Sequence, residues 1–389
     1  MGSASHNTNR RRRRGAVAAQ VLVCSTVILG MGALVIDVGK LHLARTELQC
    51  AADSAALAGA SAYFDNAGLV QNTARGALAR ERAQEFSDAN WTLGAPTVLA
   101  AGDIVTGTLD LSNPASLLDT SGTRRFNAVQ VLVRRTAGSS NGSIAYSFAW
   151  IFGYSDGGAV AGATAAFDDR FGGYVETEDY GLLMPFSVHK NLYEQALVSG
   201  ADKFSYDAVL EQVDGTPDGV REVPICALLD ELGASSPDGA GNFGLLNIGT
   251  GNQGDAALEA QVREGVALSD LELEIGTTEM RFVADDGQPN TYAITGSPGL
   301  KVAMSDAVES RVGQVVGFFI HDLVTDPGSN AVYRIVDMRF GRVMHVDTQG
   351  NPHHRRVVVQ PVAYTGPGVI VITNAPSSNG QVGRLRLVR

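Results

Sequence analysis

Between Gly15 and Ile36 the chain reads GAVAAQVLVCSTVILGMGALVI, with no charged side chain and only Gln20, Ser25 and Thr26 polar. About 22 such residues make a helix of ~33 Å, enough to cross a bilayer core. A cleaved signal peptide would have a shorter apolar stretch followed closely by small residues in A-x-A spacing. Here Asp37, Lys40 and Arg45 follow instead, with no such spacing before Ala58. The pattern predicts a retained transmembrane helix over 15–38. Arg10, Arg11, Arg12, Arg13 and Arg14 precede it and outnumber Lys40 and Arg45 beyond it. That asymmetry places the basic tail, 1–14, in the cytoplasm and the bulk of the chain outside.

The helical pattern continues past the apolar run. From Lys40 to Ala62 there is no proline and one glycine, Gly59. In heptad register Leu41, Leu48, Ala55 and Ala62 occupy position a, and Ala44, Ala51 and Ala58 occupy position d. The extension, 39–62, thus carries a narrow stripe of small and leucine side chains. Such a stripe permits close contact with a partner helix, or with the chain's own globular part. Both readings are open at the level of sequence.

Beyond residue 62 the periodicity shortens. Asn72–Asn90 reads as an amphipathic helix, with Leu78 and Phe86 inward and Arg75, Arg80, Glu81, Arg82 and Glu85 outward. Ile104–Leu111 and Asn127–Arg134 alternate as strands, and Val129, Val131 and Val133 share a face. Ala159–Phe167 suits a strand or a helix, and Ile144–Phe152 is ambiguous. A composition shift near Asp168–Tyr180 separates a domain over 63–170 from a β-rich domain over 171–389. In the latter, Leu192–Leu197 predicts a short helix. Val312–His321, Tyr333–Asp347, Arg355–Tyr364 and Gly368–Thr373 predict strands. The expected class is α+β: a long N-terminal helix, then β-rich domains with a few short helices.

Composition narrows the chemistry. Of 389 residues, 44% are hydrophobic and 18% charged, which excludes wholesale disorder. The net charge is -11 for the whole chain; residues 1–39 contribute about +4 through Arg10–Arg14 against Asp37, so the acidity lies in the body and argues against nucleic acid as partner. Cys24, Cys50 and Cys226 form no disulfide or zinc pattern, although a Cys50–Cys226 bridge is conceivable outside the cytoplasm. Gly249-Thr250-Gly251-Asn252-Gln253-Gly254 follows an apolar run and opens a helical one. Glu272 and Glu274 lie about twenty residues on in a strand-like segment, the layout of a dinucleotide site. No further βαβ units follow, and nicotinamide cofactors are not expected outside the cytoplasm. Asp214–Gly219 begins like a calcium loop, but Ile225 stands where the bidentate glutamate belongs. His345, His353 and His354 surround a turn without metal-site spacing. No cofactor, metal or small-molecule substrate is expected.

The N-terminal stretch RRGAVAAQVLVCSTVILGMGALVIDVGKLHLARTELQCAADSAALAGA resembles the corresponding segment of TadE/TadG-like proteins of the Flp (Tad) pilus-assembly system. Its features are Arg-Arg-Gly before the span, Asp37-Val38-Gly39 at its end, and the Leu-Gln and Ala-Ala-Asp-Ser motifs that follow. VRRTAGSSNGSIAYSFAWIFGYSDGGAVAGATAAF is similar to the next segment of such proteins. The resemblance implies a single-pass protein of the bacterial cell membrane that helps build a type IVb pilus, with other pilus-assembly proteins or copies of itself as partners. TadE-type members resemble prepilins, cut after a glycine with Glu at the fifth mature position. Here Gly15 and Ala16 flank the corresponding bond and Gln20 replaces the glutamate. Gln20 lacks the carboxylate that would pair with a new N-terminal amine. That departure is closer to the uncleaved TadG type, here without an evident von Willebrand A domain. The alternatives are an extracytoplasmic enzyme or nucleotide binder using Gly249–Gly254, and a general membrane-anchored adhesion protein.

Overall fold

The structure, a computed structural model, describes residues 8–65, 72–113, 115–176, 181–225, 243–249, 255–298, 302–325, 331–348, 355–378 and 380–388. Side chains are described from residue 17 onward, apart from residue 65. The fold is α+β. One helix, α1 (Thr8–Asp65), runs 58 residues without a break. No proline interrupts it, and alanine and leucine dominate its second half. The hydroxyls of Thr26 and Thr46 donate to the carbonyls of Leu22 and His42, so neither leaves an unpaired polar atom on the helix surface.

Two regimes divide α1. From Val17 to Ile36 nearly every side chain is exposed, including Leu22, Ile28, Leu29, Met31 and Val35. From Ala44 to Tyr63 the helix is the centre of a core. It packs on a four-stranded antiparallel sheet ordered Arg384–Leu387, Ala159–Asp168, Ala128–Arg135, Ile104–Gly107. Val129, Val131 and Val133 face it together with Ala159, Ala161, Ala163 and Ala165 of the next strand. Small residues on both surfaces bring helix and sheet close.

Helix α2 (Asn72–Asp88) lies beside α1. Its inward face is Arg75, Gly76, Ala79, Ala83 and Ser87. This corrects the expected orientation: Arg75 is buried, and Phe86 is exposed. The physical reason is clearance. A Cβ on Gly59 of α1 would lie 2.9 Å from the Ala79 carbonyl oxygen and 3.2 Å from the Ala83 Cβ. The crossing admits only small side chains, and a phenylalanine cannot enter it. Arg75 reaches past it, donating to the carbonyls of Tyr63 and Phe126 and lying over the Tyr63 ring. Burial, helped by the charge of Arg125, lowers the Arg75 pKa to about 10.

The C-terminal half forms a larger sheet ordered Val223–Ile225, Arg356–Pro361, Ala331–Asp347, Tyr292–Pro298, Phe243–Leu246, Leu183–His189, Val315–Thr325. Val315–Thr325 also pairs with Ala331–Asp347, so five of these strands close on themselves. Closure removes exposed edges. All pairings are antiparallel except Leu183–His189 with Val315–Thr325. Helix α3 (Lys190–Ser199) starts with His189, whose ring nitrogen accepts the Asn191 N–H. Helices α4 (Asp255–Glu264) and α5 (Leu268–Ile275) follow the Phe243–Leu246 strand. The final strand leaves this half and returns to the first sheet, pairing Arg384–Leu387 with Asp168–Ala165. Buried Asp168 ties the return, accepting from Arg170 at 2.8 Å and Arg386 at 2.9 Å.

Candidate functional site

The place where α1 leaves its exposed half is built around Asp37. Its side chain is 2% exposed, while its neighbours Ile36 and Val38 are 52% and 43% exposed. The cause is a short hairpin. Ile144–Ala145 pairs with Asp156–Gly157, and the tip between them contains a 3-10 turn, Ala149–Phe152. The Asp37 carboxylate accepts the backbone N–H groups of Ser147 at 2.6 Å, Phe148 at 2.9 Å and Ala149 at 2.6 Å. An ionised acceptor shared by three donors makes strong, directional bonds. One turn along, Lys40 Nζ donates to the Ala145 carbonyl at 2.6 Å. Asp37 and Lys40 thus clasp the first strand of the hairpin and the start of its tip, and the aspartate of the Asp37-Val38-Gly39 motif has a structural task. Sequence reasoning assigned it none. The signal available was the uncharged, aromatic-rich run Ile144–Ser155.

The predicted stripe is found at the next level of α1. Ala44, Leu48, Ala51, Ala55 and Ala62 are fully buried, Ala58 is 8% exposed, and Leu41 packs at the edge. Their surroundings are the chain's own sheet and α2 rather than a partner helix. The reading of this stripe as an intermolecular seam therefore yields to an internal one: Ala44, Leu48, Ala55 and Ala62 are in one cluster with Val129, Val131 and Ala163. Glu47, off the stripe, accepts the Leu93 N–H at 2.7 Å. Upstream, Gln20 is exposed on α1, and Gly15 and Ala16 lie within the helical backbone. The backbone of Arg10–Arg14 is helical, and their side chains lie outside the described residues.

The chemical candidates of the second half are dispersed. Of the Gly249–Gly254 loop only Gly249 is among the described residues, with φ +114°. The strand before it, Phe243–Leu246, has antiparallel neighbours on both sides. A dinucleotide fold places that strand beside a parallel one. Glu272 and Glu274 stand on α5, not on the strand expected there, because Leu271 and Ile275 turn one face of a helix inward. Glu274 accepts the Gly249 N–H at 3.3 Å. Its partial burial raises its pKa, an effect that this bond reduces. The raised folded value means burial opposes the charged form above it. That penalty is relieved as pH falls through the folded pKa toward the ordinary 4.5. Denaturant titrations over this window should show wild type gaining stability relative to Glu274→Gln as pH falls. A constant difference would contradict the assignment.

In the Asp214–Gly219 turn, Asp218 is bonded to Gln360 and to the Val220 N–H, and Ile225 is in a strand. His345 stacks on Phe204, and His353 and His354 lie outside the described residues, as does Cys226. Cys24 and Cys50 are exposed. Among the described residues, Ser187 Oγ and His321 Nδ1 pair at 2.6 Å in the manner of a nucleophile and a base. Both are fully buried, and His321 lies edge-on to the Tyr333 ring. A groove of about 710 Å³ beside α3 is charged but internally balanced: Arg334 pairs with Asp322 and Arg339 with Asp337.

The architecture is that of an α+β body carried on one helix long and apolar enough to cross a membrane. Residues 15–62, the part of that helix holding both the apolar run and the buried stripe, match the family model described as putative Flp pilus-assembly TadE/G-like. The resemblance read from Arg13–Ala60 is thus shown over the matched segment. No curated protein and no solved structure matches the chain.

Proposed function

We propose that this chain is a membrane-anchored, extracytoplasmic component of a Tad/Flp pilus-assembly system that acts through contacts rather than catalysis. The observation that carries this reading is the continuity of α1. The segment similar to the TadE/G-like family enters the core of the body as the same helix that supplies the apolar run. With the stripe consumed by the body, the surfaces left for partners are the exposed span and the outer faces of the body. The chain is TadG-like in this reading, lying in the bacterial cell membrane with Arg10–Arg14 cytoplasmic. The Gly15–Ala16 bond stays intact, since Gln20 stands in place of the expected glutamate.

Protease added to spheroplasts tests topology and processing together. The body should be digested, leaving a membrane-protected fragment whose mass includes Arg10–Arg14. A fully protected body would overturn the orientation. A fragment beginning at Ala16 would move the chain to the pilin-like branch. Co-purification of neighbouring pilus-machine components from cross-linked membranes tests the assembly role, and their absence would leave the adhesion reading.

A further inference from the structure

We propose that the hairpin Ile144–Gly157 is a second membrane contact, seated with its tip among the lipid chains of the outer leaflet beside the span. This rests on the reading of α1 as a membrane anchor and adds to it a surface of the body itself.

Depth is the first argument. The Phe152 ring reaches Gly30, where a Cβ would lie 3.8 Å from Phe152 Cζ. Gly30 is seven residues before Asp37, so the tip descends ~10 Å along the helix from the clasp. The uncharged run ends at Ile36. A bilayer that covers this run therefore covers Phe152 as well.

Composition is the second. From Ile144 to Ser155 the hairpin holds no charge and carries Phe148, Trp150, Ile151, Phe152 and Tyr154. Trp150, Ile151, Phe152 and Tyr154 are each more than 60% exposed. Water would solvate this cluster poorly, whereas amphipathic aromatic rings favour the boundary between headgroups and chains.

The third argument is hydrogen bonding. A loop entering lipid must satisfy its own backbone. The N–H groups of Ser147, Phe148 and Ala149 go to Asp37, and Tyr146 N–H goes to the Ser155 carbonyl. Ile151, Gly153 and Tyr154 donate to Phe148, Trp150 and Ala149 within the tip. Even the indole N–H of Trp150 is used, donating to the Ser147 carbonyl at 3.1 Å. A loop held in water has no need of this economy, since water would satisfy the same groups.

The test uses tryptophan fluorescence of the full chain. The sequence has two tryptophans, Trp91 and Trp150. Trp91 lies near Glu47, which is ten residues beyond Asp37, so ~15 Å farther from the membrane along α1. The Trp91→Phe chain is reconstituted into phosphatidylcholine–phosphatidylglycerol vesicles with plain or brominated acyl chains and recovered by flotation. Trp150 emission should fall at least ~2-fold in the brominated vesicles, as expected for a ring among the chains. The Trp150→Phe chain, with Trp91 alone, should be unchanged. Floated chains with unquenched Trp150 would overturn the proposal while sparing the anchor, and would leave the hairpin to a protein contact. Failure to float would remove the anchor and this proposal together.

Discussion

Ala55→Glu is expected to unfold the N-terminal body while leaving the chain in the membrane. Ala55 is fully buried between α1 and the sheet. The neighbouring surfaces are alanines and valines, and Gly59 one turn later shows that clearance at this crossing is already exhausted. A glutamate there has neither room nor a partner for its charge. Burying an unpaired carboxylate, together with overpacking, costs at least ~4 kcal/mol, a large part of a domain's stability. Trypsin resistance and thermal melting of detergent-purified chains should show the loss, while flotation with vesicles should persist because the span is untouched. Asp53→Ala is the control. Asp53 is off the stripe and accepts only a Gln49 amide among the described bonds, so its removal should change stability by no more than ~0.5 kcal/mol. A normally melting Ala55→Glu chain that has lost cross-links to other proteins would show that the stripe faces outward after all.

Asp168→Ala should release the C-terminal strand. Asp168 is 1% exposed and sits between Arg170 and Arg386, with Arg170 on it through both Nε and Nη2. Without the carboxylate, the partly buried Arg170 and the half-exposed Arg386 face each other with no charge between them. Arg170 loses its compensating charge in a largely buried place while water screens Arg386, so the cost is about 2 kcal/mol, below that of breaking a fully buried pair. Arg384–Leu387 is an edge strand, paired on one side only, so the loss should appear there first. Limited proteolysis should clip the chain near Gly383 before the rest of the body, and hydrogen exchange should accelerate at Arg386 and Leu387. Simultaneous loss of protection across both sheets would contradict this local role.

The parts of the fold legible in the sequence are those with a long or clean period. The α1 pattern over Gly15–Ala62 is found within Thr8–Asp65, and Val129, Val131 and Val133 face the core together as their alternation predicts. Ala159–Phe167 was ambiguous because alanine favours helices, yet the segment is a strand. Its alternate alanines fit against the alanines of α1, so packing overrides propensity. The same small-residue rule orients α2, where hydrophobicity alone points Phe86 inward but clearance admits Ala79 and Ala83 instead. Strands Phe171–Val175, Leu183–His189 and Arg384–Leu387 were missed. The first looked like a glycine-rich boundary. The last is too short to show a period and is fixed by Asp168, which is far away in sequence. The Asp37 clasp joins residues about 110 apart, a separation that no local pattern reveals.

Because α1 is continuous, the body has no swivel. A domain hung on a flexible linker samples many attitudes, but here the helix that carries the apolar run is also the axle of the core. Adding one residue near Gly39 would turn the body by about 100° and lift it by ~1.5 Å, tearing the Asp37–Lys40 clasp from its hairpin. Tilting the shaft tilts every outer face by the same angle. Under the proposed anchorage, a load applied to the body would reach the lipid as torque rather than being absorbed in a flexible neck. Each copy would thus present its outer faces at one fixed height and heading, as a tooth does on a gear.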